Sequence, residues 1–551
     1  MTYEEPDRLA HRATVLVDGL GDGSIRPIAY STSFVARLHR PDGSPLFPGA
    51  LDWLRRHQWP DGSWGGAVPQ PPDRLVSTLA ALLALAGSAE DWARQAIESA
   101  TGYLWRHAAD WRDAGYETIA FELAVPHLLA EARRAGLRLP YAEFGDLDRM
   151  RADKLDRIPP DALRTRPTTL LYSLEVLGDV FAPGLAGRFR SGNGSLGNSP
   201  SATAAYWAAT GDPAALRYLE RLVDANPDGG VPEVWPVATF ETAWAVYLLN
   251  RAKLLPVTAA RPHLDRLHRI LGDTGLAAID PSFPVPDSDD TAMVYNALLD
   301  TGYPVAGLLD HLLVFESESC FRTFPYERVA SVSANARVYE AFAHRPDRYP
   351  GQLAKILDYL RGERQDGGWW RDKWHASAYY ATAQVVFALA GPAHRSGSAD
   401  GVDGWLPPPE PLADTWRWLV GGQRADGSWG EPAGTAEETA YAVLALDALD
   451  HRHPVPPQVF ELAGAYLREH VDDADPPELW IGKGLYTPDA VVRAAALAAC
   501  AVAVRRTAAG HLVGSAGDPR RGGPRSAAPA GRRAGVPPRA ASGSRPAAPP
   551  G

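Results

Sequence analysis

Three carboxylates fall within four residues at Asp287-Ser288-Asp289-Asp290. Pro284 and Pro286 precede them, and the apolar run Met293 to Leu299 follows. That order places them at a helix N-terminus, where free N–H groups and the helix dipole favour negative charge. Capping accounts for one or two aspartates but not three. A calcium loop counted from Asp287 needs Gly at its sixth position and Glu at its twelfth, where the sequence has Ala292 and Leu298. A magnesium–diphosphate site of the ionising kind reads Asp-Asp-x-x-Asp; this string does not, and Asp472-Asp473-Ala474-Asp475 misses by one position. What remains is a proton donor. Crowded carboxylates cannot all ionise, so one keeps its proton at neutral pH. An acid able to protonate an alkene needs that crowding and a dry pocket whose aromatic faces tolerate a carbocation.

Such a site needs rigid elements, and one pattern recurs along the chain. Asp-Gly-x-Trp is followed by a Thr/Ala-rich apolar segment of helical length. Asp61-Gly62-Ser63-Trp64, Asp366-Gly367-Gly368-Trp369 and Asp426-Gly427-Ser428-Trp429 are the clear copies. Weaker ones begin at Asp228 and near Asn193. Two copies extend to Gln-x3-Gly-x-Trp, from Gln58 to Trp64 and from Gln423 to Trp429; the third has Glu363 in place of the Gln. Asp-Gly is a turn signal, and almost no segment alternates with the period of a strand. Helical hairpins repeated this way bury their apolar faces only by stacking. The expected fold is all-α, with closed α/α barrels rather than an open solenoid.

The remaining composition narrows the function classes. The chain has 551 residues, a formal charge of −11 and only two cysteines, Cys320 and Cys500. The charge argues against a general nucleic-acid binder. Two thiols make no disulfide framework, so a cytoplasmic location is expected. The start of the chain lacks the basic and apolar blocks of a signal peptide. The longest apolar run, Ala494 to Val504, is too short to span a bilayer, which takes about 20 residues. Beyond Ala508 the composition turns to Gly, Pro, Ala, Arg and Ser, so residues 511–551 are expected to be a disordered tail.

Several strings together resemble the class II diterpene cyclases. Asp287-Ser288-Asp289-Asp290-Thr291-Ala292 is similar to their Asp-x-Asp-Asp motif. Asp372-Lys373-Trp374-His375-x-Ser377-x-Tyr379-Tyr380 and Leu479-Trp480-Ile481-Gly482-Lys483-x-Leu485-Tyr486-Thr487-Pro488 resemble two further family segments. Pro167-Thr168-Thr169-Leu170-Leu171 and Ser199-Pro200-Ser201-x-Thr203-Ala204 resemble the family's inserted domain. The resemblance covers roughly residues 25 to 505. It implies two α/α barrels, β and γ, with the active site between them: residues 1–24 as the first β helix, 25–240 as γ and 241–510 as β. No ionising domain is expected.

The implied reaction is protonation and cyclisation of a prenyl diphosphate, most simply geranylgeranyl diphosphate, with the diphosphate and a magnesium ion kept together. The resemblance implies Asp289 as general acid, flanked by Asp287 and Asp290, with Asn335 orienting its proton. It implies Lys154, Arg251 and Lys373 as diphosphate ligands and Glu117 in the magnesium-linked patch. Trp369, Trp370, Tyr379 and Tyr380 are expected near the pocket. The ent-copalyl branch carries Leu-His-Ser and Pro-Asn-Val, whose His and Asn hold a terminating water. Here those places read Leu171-Tyr172-Ser173 and Pro232-Glu233-Val234, so Tyr172 and Glu233 stand where the cation is quenched. The product would pass to a class I terpene synthase or a phosphatase. Three other readings compete: a drimenyl-type cyclase of farnesyl diphosphate, a squalene–hopene-like cyclase, and a non-catalytic α/α-barrel binding protein.

Overall fold

The computed structural model describes residues 4–23, 25–159, 163–178, 180–324, 327–390, 412–473 and 475–516. Contacts divide the chain into Met1–Thr507 and Ala508–Gly551. Of the expected tail, 511–516 are helical and 517–551 lie outside the described residues, as does Ala474.

Helix α1 (Glu4–Asp18) leads into a first ring. Its members are α2 (Ala29–Ala36), α3 (Pro71–Leu85), α4 (Phe121–Arg134), the 3-10 segment Thr169–Val176, and α5 (Pro200–Thr210). Each packs on the next, and α5 returns to α2. The second ring is formed by α6 (Ala238–Arg251), α7 (Ser288–Asp300), α8 (Val332–Phe342), α9 (Ala378–Ala390), α10 (Ala436–Leu449) and α11 (Asp489–Ala516). Helices α6 to α10 pack in order. Helix α11 closes the ring: Arg506 Nε donates to Asp447 on α10 at 2.6 Å, and Arg505 donates to the Ala252 carbonyl just past α6 at 2.9 Å. Every residue of α8, and every residue of α9 except Ala378, is buried, as expected of inner helices enclosed on all sides. Further helices coat the outside, for example Asp91–His107 on α3 and Pro457–His470 on α10. Helix α1 packs on α6 of the second ring.

The repeated turns fasten outer to inner helices. Gly62, Gly368 and Gly427 have φ of 96°, 87° and 90°, a region open to glycine. Trp64 and Trp429 each donate their ring N–H to a carbonyl ten residues earlier, Leu54 at 2.8 Å and Leu419 at 2.7 Å. Their backbone N–H groups donate to Thr78 and Thr439 of the following inner helix, both at 3.0 Å. Gln58 and Gln423 tie the same turns to the next outer helix, through Ala96 O at 3.0 Å and Val459 O at 2.9 Å.

The third copy sits one residue later than the sequence reading places it. Trp370, not Trp369, donates its ring N–H to Leu360 O at 2.7 Å and its backbone N–H to Thr382 at 3.0 Å. The Gln position then falls on Arg364 rather than Glu363. The turn has the same length as the other two, with Gly368 at the place of Gly62 and Gly427 and Gly367 at the place of Asp61 and Asp426. Trp369 is half-buried and stacks on Trp418 at 5.9 Å.

Among the described residues the strand content is one hairpin, β1 (Trp480–Ile481) against β2 (Leu485–Tyr486). It meets both rings: Ile119 N–H, just before α4, donates to Gly482 O at 2.7 Å, and Ile481 N–H donates to Trp374 O at 2.9 Å. Among the described residues no helix is long and apolar enough to cross a membrane.

The register of the third turn is open to test by thermal denaturation. Trp370→Ala is expected to cost about 3–5 kcal/mol, as for a fully buried Trp, and Trp369→Ala to shift the midpoint far less. The reverse order would place Trp369 in the anchoring position.

Candidate active site

A cavity of about 600 Å³ lies between the two rings. The first ring supplies Thr118, Lys154 and Tyr172 to its wall; the second supplies Trp244, the Asp287–Asp290 group and Asp372; the hairpin supplies Trp480 and Tyr486. Apolar and aromatic groups line its middle, including Phe240, Ile279, Phe283 and Trp374.

The three aspartates have three environments. Asp287 is the N-cap of α7, its carboxylate accepting the Asp290 N–H at 2.7 Å. Capping therefore does account for one of the three. Burial pushes Asp287 up to about 7, opposed by its hydrogen bonds from Asp290. Asp290 is buried with Oδ1 unpartnered, and burial, then the neighbouring Asp287 charge, raises it well above the carboxylate range. These two carboxyls hold a proton between them. Asp289 is the one of the three that is only partly buried, and its Oδ1 is bound by the guanidinium of Arg337. Burial raises its pKa, and Arg337 opposes the rise.

Arg337 is the residue the sequence reading missed. It lies on α8, is 1% exposed, and also donates to Tyr380 and, at 3.3 Å, to Ser333. Its guanidinium lies 4.7 Å from the ring centre of Trp244, which lines the cavity. The available signal was an arginine in the apolar string Val-Ser-Ala-Asn-Ala-Arg-Val-Tyr, since an arginine is almost never fully buried without a partner. Asn335, expected on the acid, is not there. Its amide is consumed by Phe321 N–H, Phe321 O and Ser331 O, all at 2.8 Å, because it ties the preceding loop to α8.

One end of the cavity is basic. Lys154 lies 3.4 Å from Glu122, Lys373 pairs with Glu327, and Arg328 pairs with Glu117. Arg157 and Arg371 line the same end, and neither is in an ion pair among the described residues. Sequence reasoning did not select these two. Burial raises Glu117, with Arg328 opposing. Arg251 is not at this end. It sits at the far end of α6, about 10 Å along the axis from Trp244 by helical rise, bound to Glu340 at 3.0 Å and Phe387 O at 3.2 Å. Trp369 and Tyr379 are also outside the wall; Tyr379 stacks on Trp418 at 4.6 Å, while Tyr380 is buried behind it against Arg337.

Tyr172 and Glu233 are brought together. The Tyr172 hydroxyl donates to Glu233 Oε1, which also accepts the Lys483 N–H at 2.9 Å. Tyr172 lines the cavity and Glu233 lies fully buried behind it. A Cβ on Gly482 would come within 2.6 Å of Glu233, so only glycine fits that turn. The buried Lys483 ammonium donates to Glu175, Ser199 and Ser201, each at 2.7 Å, and sits 4.3 Å from the Tyr172 ring centre. Lys483 and Glu175 neutralise each other, leaving Glu233 as the surplus acid group. Burial raises Glu233, with Lys483 opposing.

No family model matches the chain. A type B diterpene cyclase of Mycobacterium tuberculosis is 34% identical over 87% of this chain and 96% of its own length. A labda-7,13-dienyl diphosphate synthase of Streptomyces clavuligerus is 34% identical over 92% and 95%. The solved ent-copalyl diphosphate synthase of Streptomyces platensis superposes with a TM-score of 0.74 at 31% identity, covering 91% of this chain and 99% of that one. The chain belongs to the class II diterpene cyclase family, and its helical rings are that family's α/α-barrel fold.

The proton shared by Asp287 and Asp290 has a consequence for stability. The unfolded chain releases it near 4, whereas the folded chain keeps it until about 7. The folded state binds more protons in that window, so stability falls as pH rises through it. Asp300 and Glu438, also pushed up to about 7 by burial, act in the same direction. Asp290→Asn is expected to reduce the slope of melting temperature between pH 5 and pH 8 without abolishing it; an unchanged slope would show that no shared proton exists.

Proposed function

We propose that this protein protonates and cyclises geranylgeranyl diphosphate to a bicyclic labdane- or clerodane-type diphosphate, leaving the diphosphate in place. The observation that carries the reading is the make-up of one wall: proton-holding carboxyls, aromatic faces and a basic group all line the same cavity. The volume suits a small-molecule site, typically about 300–1,000 Å³. The name of the Mycobacterium relative supports diterpene cyclisation, and that of the Streptomyces relative a labdadienyl diphosphate product.

Asp289 delivers the proton, because it is the carboxyl most open to the cavity. Its O–H bond breaks as the terminal alkene forms a C–H bond, and two further alkenes close the rings. Trp244, Phe240 and Trp480 offer faces that tolerate the travelling charge. Tyr172 then accepts a proton from the final cation as its own hydroxyl proton passes to Glu233. Its ring already carries the Lys483 ammonium, which suits it to proton transfer rather than to cation binding. At the basic end Lys154, Lys373, Arg157 and Arg371 take the diphosphate.

A magnesium ion fits beside that group. Magnesium is commonly held by one or two carboxylates together with the substrate's phosphates. Glu117 and Glu122 are the available carboxylates, and the ion would screen the diphosphate charge. The first ring corresponds to the γ domain expected at about 25–240, and the second, with the first helix, to the β domain expected at 1–24 and 241–510. The two free thiols suit a reducing cytoplasm. The product retains its leaving group, so an enzyme that ionises or hydrolyses diphosphates must consume it.

The test is incubation with geranylgeranyl diphosphate and magnesium, followed by phosphatase treatment and gas chromatography–mass spectrometry. A bicyclic alcohol is expected, lost in Asp289→Ala; unchanged geranylgeraniol with folded protein would sink the reading. Farnesyl diphosphate in parallel fixes the chain length. Tyr172→Phe is expected to divert the product toward hydroxylated or rearranged skeletons at similar substrate consumption, and an unaltered product would remove Tyr172 from termination.

A further inference from the structure

We propose that Arg337 is the positioning residue that makes Asp289 the strongest acid of its cluster, by holding Oδ1 and stabilising the carboxylate left when the proton departs from Oδ2. The inference rests on the cyclase reading above. Four buried or nearly buried carboxyls, Asp287, Asp289, Asp290 and Asp372, surround this site. Among the described residues Arg337 is the one cation fully buried beside them. Asp372 is satisfied without it, accepting Ser331 Oγ and Ser333 Oγ at 2.8 Å and the Ser333 and Trp374 N–H groups at 3.2 Å. Asp287 accepts from the α7 terminus, and Asp290 shares a proton with Asp287. Asp289 alone is bound directly by the guanidinium.

Arg337 is built to stay in place. Tyr380 Oη and Ser333 Oγ accept from it, and the Trp244 ring covers it. Burial works against its charge, but Asp289, Tyr380 and Asp372 outweigh burial and keep it protonated. A fixed cation beside a carboxyl favours the ionised form, so the protonated form is a stronger acid. The other groups facing Asp289 are Asp287 and Asp290 on its own helix, Asp372 and Lys373 from the loop before α9, Tyr380 on α9, and Tyr486 on the hairpin. Lys373 is already paired with Glu327, and the remaining acids disfavour ionisation. Among the described residues Arg337 is the larger influence favouring the ionised form of Asp289, and Lys373 the smaller.

The step balances within the site. The alkene electron pair takes the Asp289 proton, the O–H electrons remain on the carboxylate, and Arg337 faces the new negative charge while the positive charge moves onto the substrate carbon. This resembles an oxyanion site applied to the acid rather than to the substrate.

The experiment compares wild type, Arg337→Met, Arg337→Lys and Tyr380→Phe, with melting curves for each. Two quantities are read: kcat and KM for geranylgeranyl diphosphate across pH, and the titration midpoint of Asp289 by carboxyl-carbon NMR, assigned with Asp289→Asn. In Arg337→Met the NMR midpoint and the high-pH limb of kcat are both expected to move up by at least about one unit. The same variant is expected to lose roughly 100-fold in kcat, with KM within about threefold of wild type. Arg337→Lys, which keeps the charge, is expected to restore a low midpoint. If Arg337→Met does not fold, Tyr380→Phe, which only loosens the guanidinium, is expected to show a smaller upward shift. An unmoved midpoint in the folded variants overturns the proposal, as does a fall in activity with no displacement of the pH profile. A moving midpoint in a protein inert toward geranylgeranyl diphosphate would support the Arg337 role in setting acidity and overturn the functional reading instead.

Discussion

At the start of one inner helix the protein buries more negative charge than it can neutralise. Asp287, Asp289 and Asp290 sit within one turn of α7, and Asp372 approaches from the next layer. A single guanidinium answers them. An unpaired buried carboxylate is so unfavourable that the group takes up a proton instead. The shortage of positive charge is therefore what stores the proton. The rest of the second ring serves that shortage. Helix α8 carries Arg337 inward, α9 brings Tyr380 to hold it, and α6 lays Trp244 over it.

The repeated turns make such a costly arrangement tolerable. Each Trp turn fixes one inner helix through a Thr hydroxyl and a ring N–H, so helix positions are set by bonds at the turns rather than by the acid cluster itself. Three anchors of this kind, at Trp64, Trp370 and Trp429, repeat the same geometry in both rings. Rigid supports of this sort let a cavity keep an unfavourable charge distribution without local collapse.

The sequence made some of this legible and hid the rest for identifiable reasons. The aspartate group and its helix terminus are local, spelled out by prolines before and apolar residues after. The all-helical fold follows from repeats that a reader can align by eye. The Tyr172–Glu233 pairing was readable only through family resemblance, since the two lie 61 residues apart. The frame of the third turn was hidden because Gly-Gly-Trp-Trp satisfies the pattern in two registers. Asn335 and Arg337 show the sharper limit. They are two residues apart on one buried helix, so they point in different directions, and only the ring packing decides which one meets Asp289. Arg251 failed for a similar reason: it is on the right helix but at the wrong end.

The hairpin from Trp480 to Tyr486 does two jobs with the same atoms. Its residues form part of the cavity wall, and its Gly482 and Lys483 are bonded to Ile119, Glu175 and Glu233. The shape of the reaction chamber and the adhesion of the two rings are thus a single variable. Reshaping the wall there loosens the particle, so a lineage exploring new carbon skeletons is steered away from the hairpin. Tyr172, which faces the same space and whose hydroxyl bonds only Glu233 among the described residues, is the freer place for such exploration.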